Sequence, residues 1–237
     1  MRNDEQQSIV DYPLAKHFPE LADAMSVPRI RLVGNADLIG QPAIGICGSR
    51  RASKASLDRA QKFGELAADA DLGVISGNAR GVDEVAQRSV LNRGGWTVSV
   101  LAEGLGGWKP RVNHRPLVSG TNFLAVSCYD DAARWMAWRA MERNKLVIGL
   151  SHALVVVQAG VNGGTWAAGV ECLRRNKPLL VVHGRTESSD TEGNRELIRR
   201  GGIRIETNNE LRRVLRDIRR DPVGMRPQKA LSLLDLP

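Results

Sequence analysis

The run Ala43-Ile44-Gly45-Ile46-Cys47-Gly48-Ser49-Arg50-Arg51 decides the fold. It begins as a short, nearly continuous apolar stretch and ends in a Gly-Ser turn. Leu57, Ala60, Phe63, Gly64, Leu66 and Ala67 follow at helical spacing. Strand, turn, helix is the simplest assignment, and the alternation recurs outward along the chain. Further strands are expected at 72–76, 96–101, 123–127, 153–157 and 178–182, with helices at 82–91, 132–147 and 165–173. Strands that are apolar throughout are buried on both faces and need helices on each side. The expected fold is therefore α/β: a Rossmann-like, doubly wound, mostly parallel sheet with helices on both faces. Residues 42–206 form this domain, 1–41 read as an N-terminal lead-in packed on it, and 207–237 as a basic C-terminal helix and tail.

The length, 237 residues, suits one sizeable α/β domain, and 42% hydrophobic with 25% charged residues excludes wholesale disorder. The longest apolar stretch, 148–157, is broken by Ser151 and His152 and falls far short of the roughly 18 residues that span a bilayer. The first residues, Met1-Arg2-Asn3-Asp4-Glu5, lack the apolar core of a secretory signal, so a cytoplasmic protein with no membrane partner is expected. Cys47, Cys128 and Cys172 are widely spaced beside apolar residues, which suits buried thiols better than a disulfide frame.

The net charge of +8 raises the expectation of a polyanionic partner such as nucleic acid. Most of the excess lies between Arg195 and Lys229, where 11 basic residues face 5 acidic ones. Here Leu211, Val214, Leu215 and Ile218 recur at helical spacing, with Arg212, Arg213, Arg216, Arg219 and Arg220 on the other face. The plain reading is a solvated amphipathic helix.

In an open α/β sheet, ligands lie beyond the carboxyl ends of the strands, which directs attention to three turns. In Gly48-Ser49-Arg50-Arg51 the glycine lets the backbone approach a ligand, Ser49 offers a hydroxyl and Arg50 a fork suited to phosphate. In Ser76-Gly77-Asn78-Ala79-Arg80-Gly81-Val82-Asp83 a small-residue loop opens a helix, whose amides favour an anion. Gly160-Val161-Asn162-Gly163-Gly164-Thr165 repeats the pattern. Glycines after strands also serve tight turns sterically, and that reading stays beside the functional one. Asp83, in the first helical turn, reads as a loop brace. The chain has no Walker A loop, and Gly104-Leu105-Gly106-Gly107 does not complete a dinucleotide fingerprint. Its four histidines are scattered, so neither a cofactor nor a metal site is expected.

At these turns the sequence resembles the DprA/Smf family of DNA-processing proteins. The resemblance is carried by Gly48-Ser49-Arg50, by the loop from Ser76 to Asp83, and by Arg143-Asn144-Lys145, a match to the Arg-Asn-Arg that precedes a strand in the family. It continues through Gly94-Gly95-Trp96 and Gly193-Asn194-Arg195. Gln87 replaces a usual histidine, Trp108-Lys109-Pro110 a Tyr-Pro pair, and Lys145 an arginine, which keeps the charge and loses the planar fork. The chain resembles the central domain alone. The resemblance implies a homodimer that binds single-stranded DNA in a basic strand-end pocket, without catalysis, and passes the strand to the RecA recombinase in natural transformation.

In the physical picture, amides at helix starts and the side chains of Arg50, Arg80, Arg143 and Lys145 hold phosphates, while bases stack on an exposed aromatic. Trp108, beside Lys109, is the aromatic nominated, with a core role as its alternative; Trp135 and Trp138 are expected to pack against the sheet. Two rivals use the same glycines. One is a nucleotide-binding sensor domain. The other is a LOG-type phosphoribohydrolase, whose glutamate position is occupied here by Ala168, with Glu171 one turn further on.

Overall fold

A computed structural model describes residues 8–183 and 191–221. After two short strands, β1 (Val10–Tyr12) and β2 (Ile30–Gly34), the expected apolar runs follow as β3 (Ala43–Cys47), β4 (Gly73–Ser76), β5 (Thr97–Val100), β6 (Phe123–Ser127), β7 (Ala153–Val156) and β8 (Leu179–Val182), with β9 (Ile203–Ile205) at the end. They form one sheet in the order β1-β2-β6-β5-β4-β3-β7-β8-β9. From β3 to β9 and out to β6 all pairing is parallel, while β2 on β6 and β1 on β2 are antiparallel. From β3 the chain winds outward through β4, β5 and β6, then returns to lay β7 on the other side of β3. The connections diverge at this switch point and leave a crevice beyond the carboxyl ends of β3 and β7.

Alternation along each strand divides the core in two. Leu154 and Val156 face α1 (Leu14–His17), α2 (Pro19–Met25), α5 (Ala137–Leu150), α6 (Gly164–Arg174) and α7 (Glu192–Arg199). Ala153, Val155 and Val157 face α3 (Lys54–Asp69), α4 (Val82–Asn92) and α8 (Asn208–Arg220). The helices are therefore distributed over both faces, as the doubly burying strands require. The start of α3 is set by Ser53, whose hydroxyl accepts from the Ser56 amide, and that of α8 by a reciprocal Thr207–Glu210 capping box.

The strands β1, β2 and β9 lack an apolar signature of their own: β1 is mostly exposed, and Arg31 and Arg204 interrupt the other two. They become strands by pairing with an edge already formed. The expected helix at 132–147 begins five residues later, at Ala137, and the apolar residues after Arg143-Asn144-Lys145 continue it to Leu150 instead of forming a strand. Residues 131–136 precede the helix as a loop. As a result, the spacing of Trp135 and Trp138 does not turn them inward. They are 47% and 53% exposed, which overturns the expectation that they pack against the sheet. Cys172 is buried, Cys47 and Cys128 are half-buried, and none is in a disulfide. Among the described residues no helix is long and apolar enough to cross a membrane. The tail expected at the end of the 207–237 segment lies, after Asp221, outside the described residues.

Candidate functional site

The three turns meet at the carboxyl edge of the sheet. The Ser49 amide donates to the Gln158 carbonyl at 3.0 Å, tying the β3 turn to that of β7. The Val82 amide reaches the Ser49 carbonyl at 3.5 Å, tying it to the start of α4. These approaches explain two of the glycines. A Cβ on Gly48 would fall 2.6 Å from Val82 Cγ2, and one on Gly81, at φ +80°, 2.5 Å from the Ser49 oxygen. Both glycines serve the packing of one turn on another, and Gly48 is itself buried.

Two adjoining cavities, of about 740 and 440 Å³, open above these turns and share Arg50, Arg51, Ala79, Trp135 and Arg143. The larger spans β3, β4 and β5 and is lined by Arg50, Arg51, Arg80, Lys109, Arg111 and Arg143, against one carboxylate, Glu103. The smaller lies over the β3/β7 switch point and ends on Asn144, Gly164 and Thr165 at the start of α6. Arg50 stands between them with its guanidinium carbon 5.1 Å from the Trp135 ring centroid. The result is a positive groove with an exposed indole at its centre.

Beneath the groove, the Asp83 carboxylate accepts from the Gly77 amide at 3.1 Å and the Ala79 amide at 3.4 Å, which fixes the second turn and gives Asp83 the bracing role. Burial pushes its carboxyl up, and neighbouring Arg143 pulls it back down. Arg143 is 4% exposed, donates to the Val100 carbonyl at 3.0 Å and leaves Nε without a partner among the described residues. Its guanidinium passes where Gly77 has no side chain: a Cβ there would fall 1.5 Å from Nη1. Gly77→Ala is therefore expected to push this guanidinium off Val100 and up into the groove. Removing a charge-assisted bond of this kind costs about 1.5–3 kcal/mol. Thermal unfolding should register that loss, and an unchanged melting temperature would contradict this packing.

Other expected residues are placed differently. Ser76 is fully buried and its hydroxyl donates to the Ile46 carbonyl at 2.8 Å, so it holds β4 to β3 and does not face the groove. Lys145 pairs with Glu142 at 2.8 Å and lines neither cavity. Asn162 and Gly163 are exposed beside the groove without lining it. Trp108 stacks on Phe123, with ring centroids 5.7 Å apart and planes at 7°, which is the core role given as its alternative, and it also lines the larger cavity. Gln87, the departure from the usual histidine, is fully buried and donates to Thr97 and Ser99 on β5, away from the groove.

Three contributors escaped the sequence reading: Arg111, which lines the larger cavity and donates to the Asn78 side chain at 3.1 Å, Trp135 and Asn194. Trp135 is carried to the groove by a loop docked on Gly104 and Gly106, whose amides donate to Ala133 and Asp131 at 2.8 and 3.0 Å. A side chain on Gly104 would meet the Asp130 oxygen at 2.1 Å, so the glycines that complete no dinucleotide fingerprint serve this approach. Asn194, 2% exposed, accepts from the Ala159 amide at 2.7 Å and donates to the Val157 and Val182 carbonyls at 3.0 and 2.7 Å. It clamps the β7 turn to β8 and α7. The signal available was its place in Gly193-Asn194-Arg195, since Gly193 lets α7 lie against the Gly160 oxygen.

Comparison with known proteins agrees with this architecture. DNA processing protein DprA of Streptococcus pneumoniae is 26% identical over 169 residues, which are 71% of this chain and 60% of that protein. The X-ray structure of that protein superposes with a TM-score of 0.75, covering 87% of this chain and 74% of the other at 23% identity, a likeness of fold. A putative DprA of Mycobacterium tuberculosis is 30% identical over 70% of this chain and 43% of its own length, so the chain spans about half the length of the curated relatives it matches. DNA processing protein A of Helicobacter pylori, described with a unique single-stranded DNA binding mode, superposes with a TM-score of 0.74 at 25% identity, covering 91% of this chain and 98% of the other. The model of the DNA recombination-mediator protein A family matches residues 10–216, nearly the whole described fold with its groove, and the chain belongs to that family.

Proposed function

We propose that this protein binds single-stranded DNA along the carboxyl-edge groove, independently of base sequence and without breaking bonds. The observation that carries the reading is the lining of the larger cavity: the exposed cations Arg50, Arg51, Arg80 and Lys109, with Arg111, which also pairs with Glu84 at 3.7 Å, and the buried Arg143 behind them, against one lining carboxylate and beside the exposed Trp135. Cations track a phosphate backbone, while an exposed ring stacks any base, because every base has a π face. Membership of the family supports the further reading that the bound strand is held by a homodimer for transfer to RecA.

A LOG-type glycosidase would need a carboxylate near the sugar. Ala168 is buried, and the carboxylate of Glu171 is taken by Arg174 and Arg175 at 2.7 and 2.6 Å. The Arg174 bond, reinforced by Arg175, holds that group down at about 2, so it stays ionised and cannot donate a proton. A sensor for one small nucleotide would use the same amides, but it does not account for a groove made of two adjoining cavities.

Fluorescence anisotropy on labelled oligo-dT should show affinity falling steeply with salt, with log K dropping by about 0.7 per phosphate neutralised for each tenfold rise. Salt-insensitive binding, or mononucleotides that raise the melting temperature where oligonucleotides do not, would reject the reading. Trp135→Ala should weaken binding by the roughly 1–3 kcal/mol that one stacked base contributes, about 5- to 150-fold. The melting temperature should hold, because the ring is half in solvent. Unaltered affinity would remove Trp135 from the site.

A further inference from the structure

The groove leaves the basic face of α8 unused. The helix is anchored by Leu211, Leu215 and Ile218, each at most 1% exposed, in the core shared with Phe63 and Leu66 of α3. On its outer side Arg212, Arg213, Arg216, Arg219 and Arg220 are all exposed, with Asp217 the one exposed acid among them. Arg219 is held by Asp71, while Arg216 and Arg220 have no ion pair among the described residues. Glu210, the other acid of the helix, is occupied by the amides of Glu206 and Thr207.

Arg212, Arg216 and Arg220 lie four residues apart, so they form one line along the helix, with steps of about 6 Å. Like charges at this spacing repel and weaken the helix. A line of guanidinium groups that the fold does not neutralise is complementary to a chain of phosphates. We infer that this face of α8 is a second phosphate-backbone site, engaged by the part of a long single strand that extends past the groove. Continuity with the groove supports that occupant. The turn bearing Arg51 runs directly into α3, whose first residue is the exposed Lys54, and α8 packs alongside α3. A bilayer is a poor fit, because an interfacial helix inserts its apolar side and here that side is buried in the core. A second copy docking face to face would set arginines against arginines.

This inference rests on the proposed DNA binding, and its test separates the two. The variant Arg212→Gln/Arg216→Gln/Arg220→Gln removes the line while keeping good helix formers, and its melting temperature should match or exceed that of the parent. Anisotropy is measured with a short probe, dT6, and with a long one, dT35. The variant should bind dT6 as the parent does, bind dT35 roughly 10-fold more weakly, and show a salt slope for dT35 smaller by about 2, which is 0.7 for each of the phosphates released. Equal dT35 affinity and slope in variant and parent would overturn the second site and leave the groove intact. Equal loss for dT6 and dT35 would overturn it as a site distinct from the groove. Binding of polyglutamate or anionic vesicles as tight as that of dT35, and lost in the same variant, would overturn nucleic acid as its occupant. If Arg50→Glu leaves dT35 binding unchanged while the triple variant abolishes it, the groove reading fails and the α8 site stands.

Discussion

Replacing Arg50 by glutamate is expected to lower affinity for oligo-dT by roughly 100-fold, near 2.7 kcal/mol, with no loss of fold. Arg50 follows the Gly48-Ser49 turn, is exposed, and lines both cavities at the point where they join. A charge-assisted contact to phosphate accounts for about 1.5–3 kcal/mol, and the reversed charge adds repulsion inside a groove that depends on its positive field. The packing cost is small, because Arg50 touches the rest of the fold chiefly through Trp135 at 5.1 Å, an exposed contact of about 0.5–1 kcal/mol. Arg50→Lys should keep part of the affinity, since it retains charge without the planar fork. Anisotropy at fixed salt, paired with thermal unfolding, checks this result. Full affinity in a folded Arg50→Glu protein would place the strand elsewhere.

Asn194→Ala is expected to destabilise the fold by about 3–5 kcal/mol. It strips partners from the Ala159 amide and the Val157 and Val182 carbonyls at once, all at a site where Asn194 itself is 2% exposed. Each buried group left unpaired costs about 1–3 kcal/mol, and water entering the vacated space recovers part of the total. For a chain of this length the melting temperature should fall by roughly 10–15 °C. Asn194→Asp separates hydrogen bonding from size. It keeps the acceptor for Ala159 but sets a carboxylate against two carbonyls, so it should be no more stable than the alanine variant. DNA affinity should fall as well, because the Gly160 turn and the start of α6 lose their anchor. A shift of only a few degrees in both variants would show that the clamp is dispensable.

The parallel core was legible because its strands are buried on both faces, and such burial leaves uninterrupted apolar runs such as 43–47 and 153–157. The three turns were legible because glycine has few substitutes where turns meet: Gly81 holds a positive φ against the Ser49 oxygen, and Gly77 vacates the path of Arg143. Arg50 and Arg80, read from the turns just beyond strand ends, and Trp108 and Lys109, read through the family resemblance, all line the larger cavity. Lys145, nominated through the match to Arg-Asn-Arg, lies on the face of α5 that pairs it with Glu142 and lines neither cavity, whereas its neighbour Asn144 lines the smaller one.

Local pattern by itself determined the apolar core strands β3 to β8, the glycine turns after them and that those turns share one edge, because periodicity and glycine geometry are properties of neighbouring residues; β1, β2 and β9 became strands only by pairing with an edge already formed. Which aromatic meets the groove was decided only by tertiary structure. Trp135 reaches it because a loop from a distant part of the chain docks on Gly104 and Gly106, and the expected burial of large rings pointed the other way. The clamp made by Asn194 and the buried course of Arg143 belong to the same class. Each joins elements far apart in sequence, and the energy of desolvating a polar group depends on what surrounds it after folding, which no local spacing encodes.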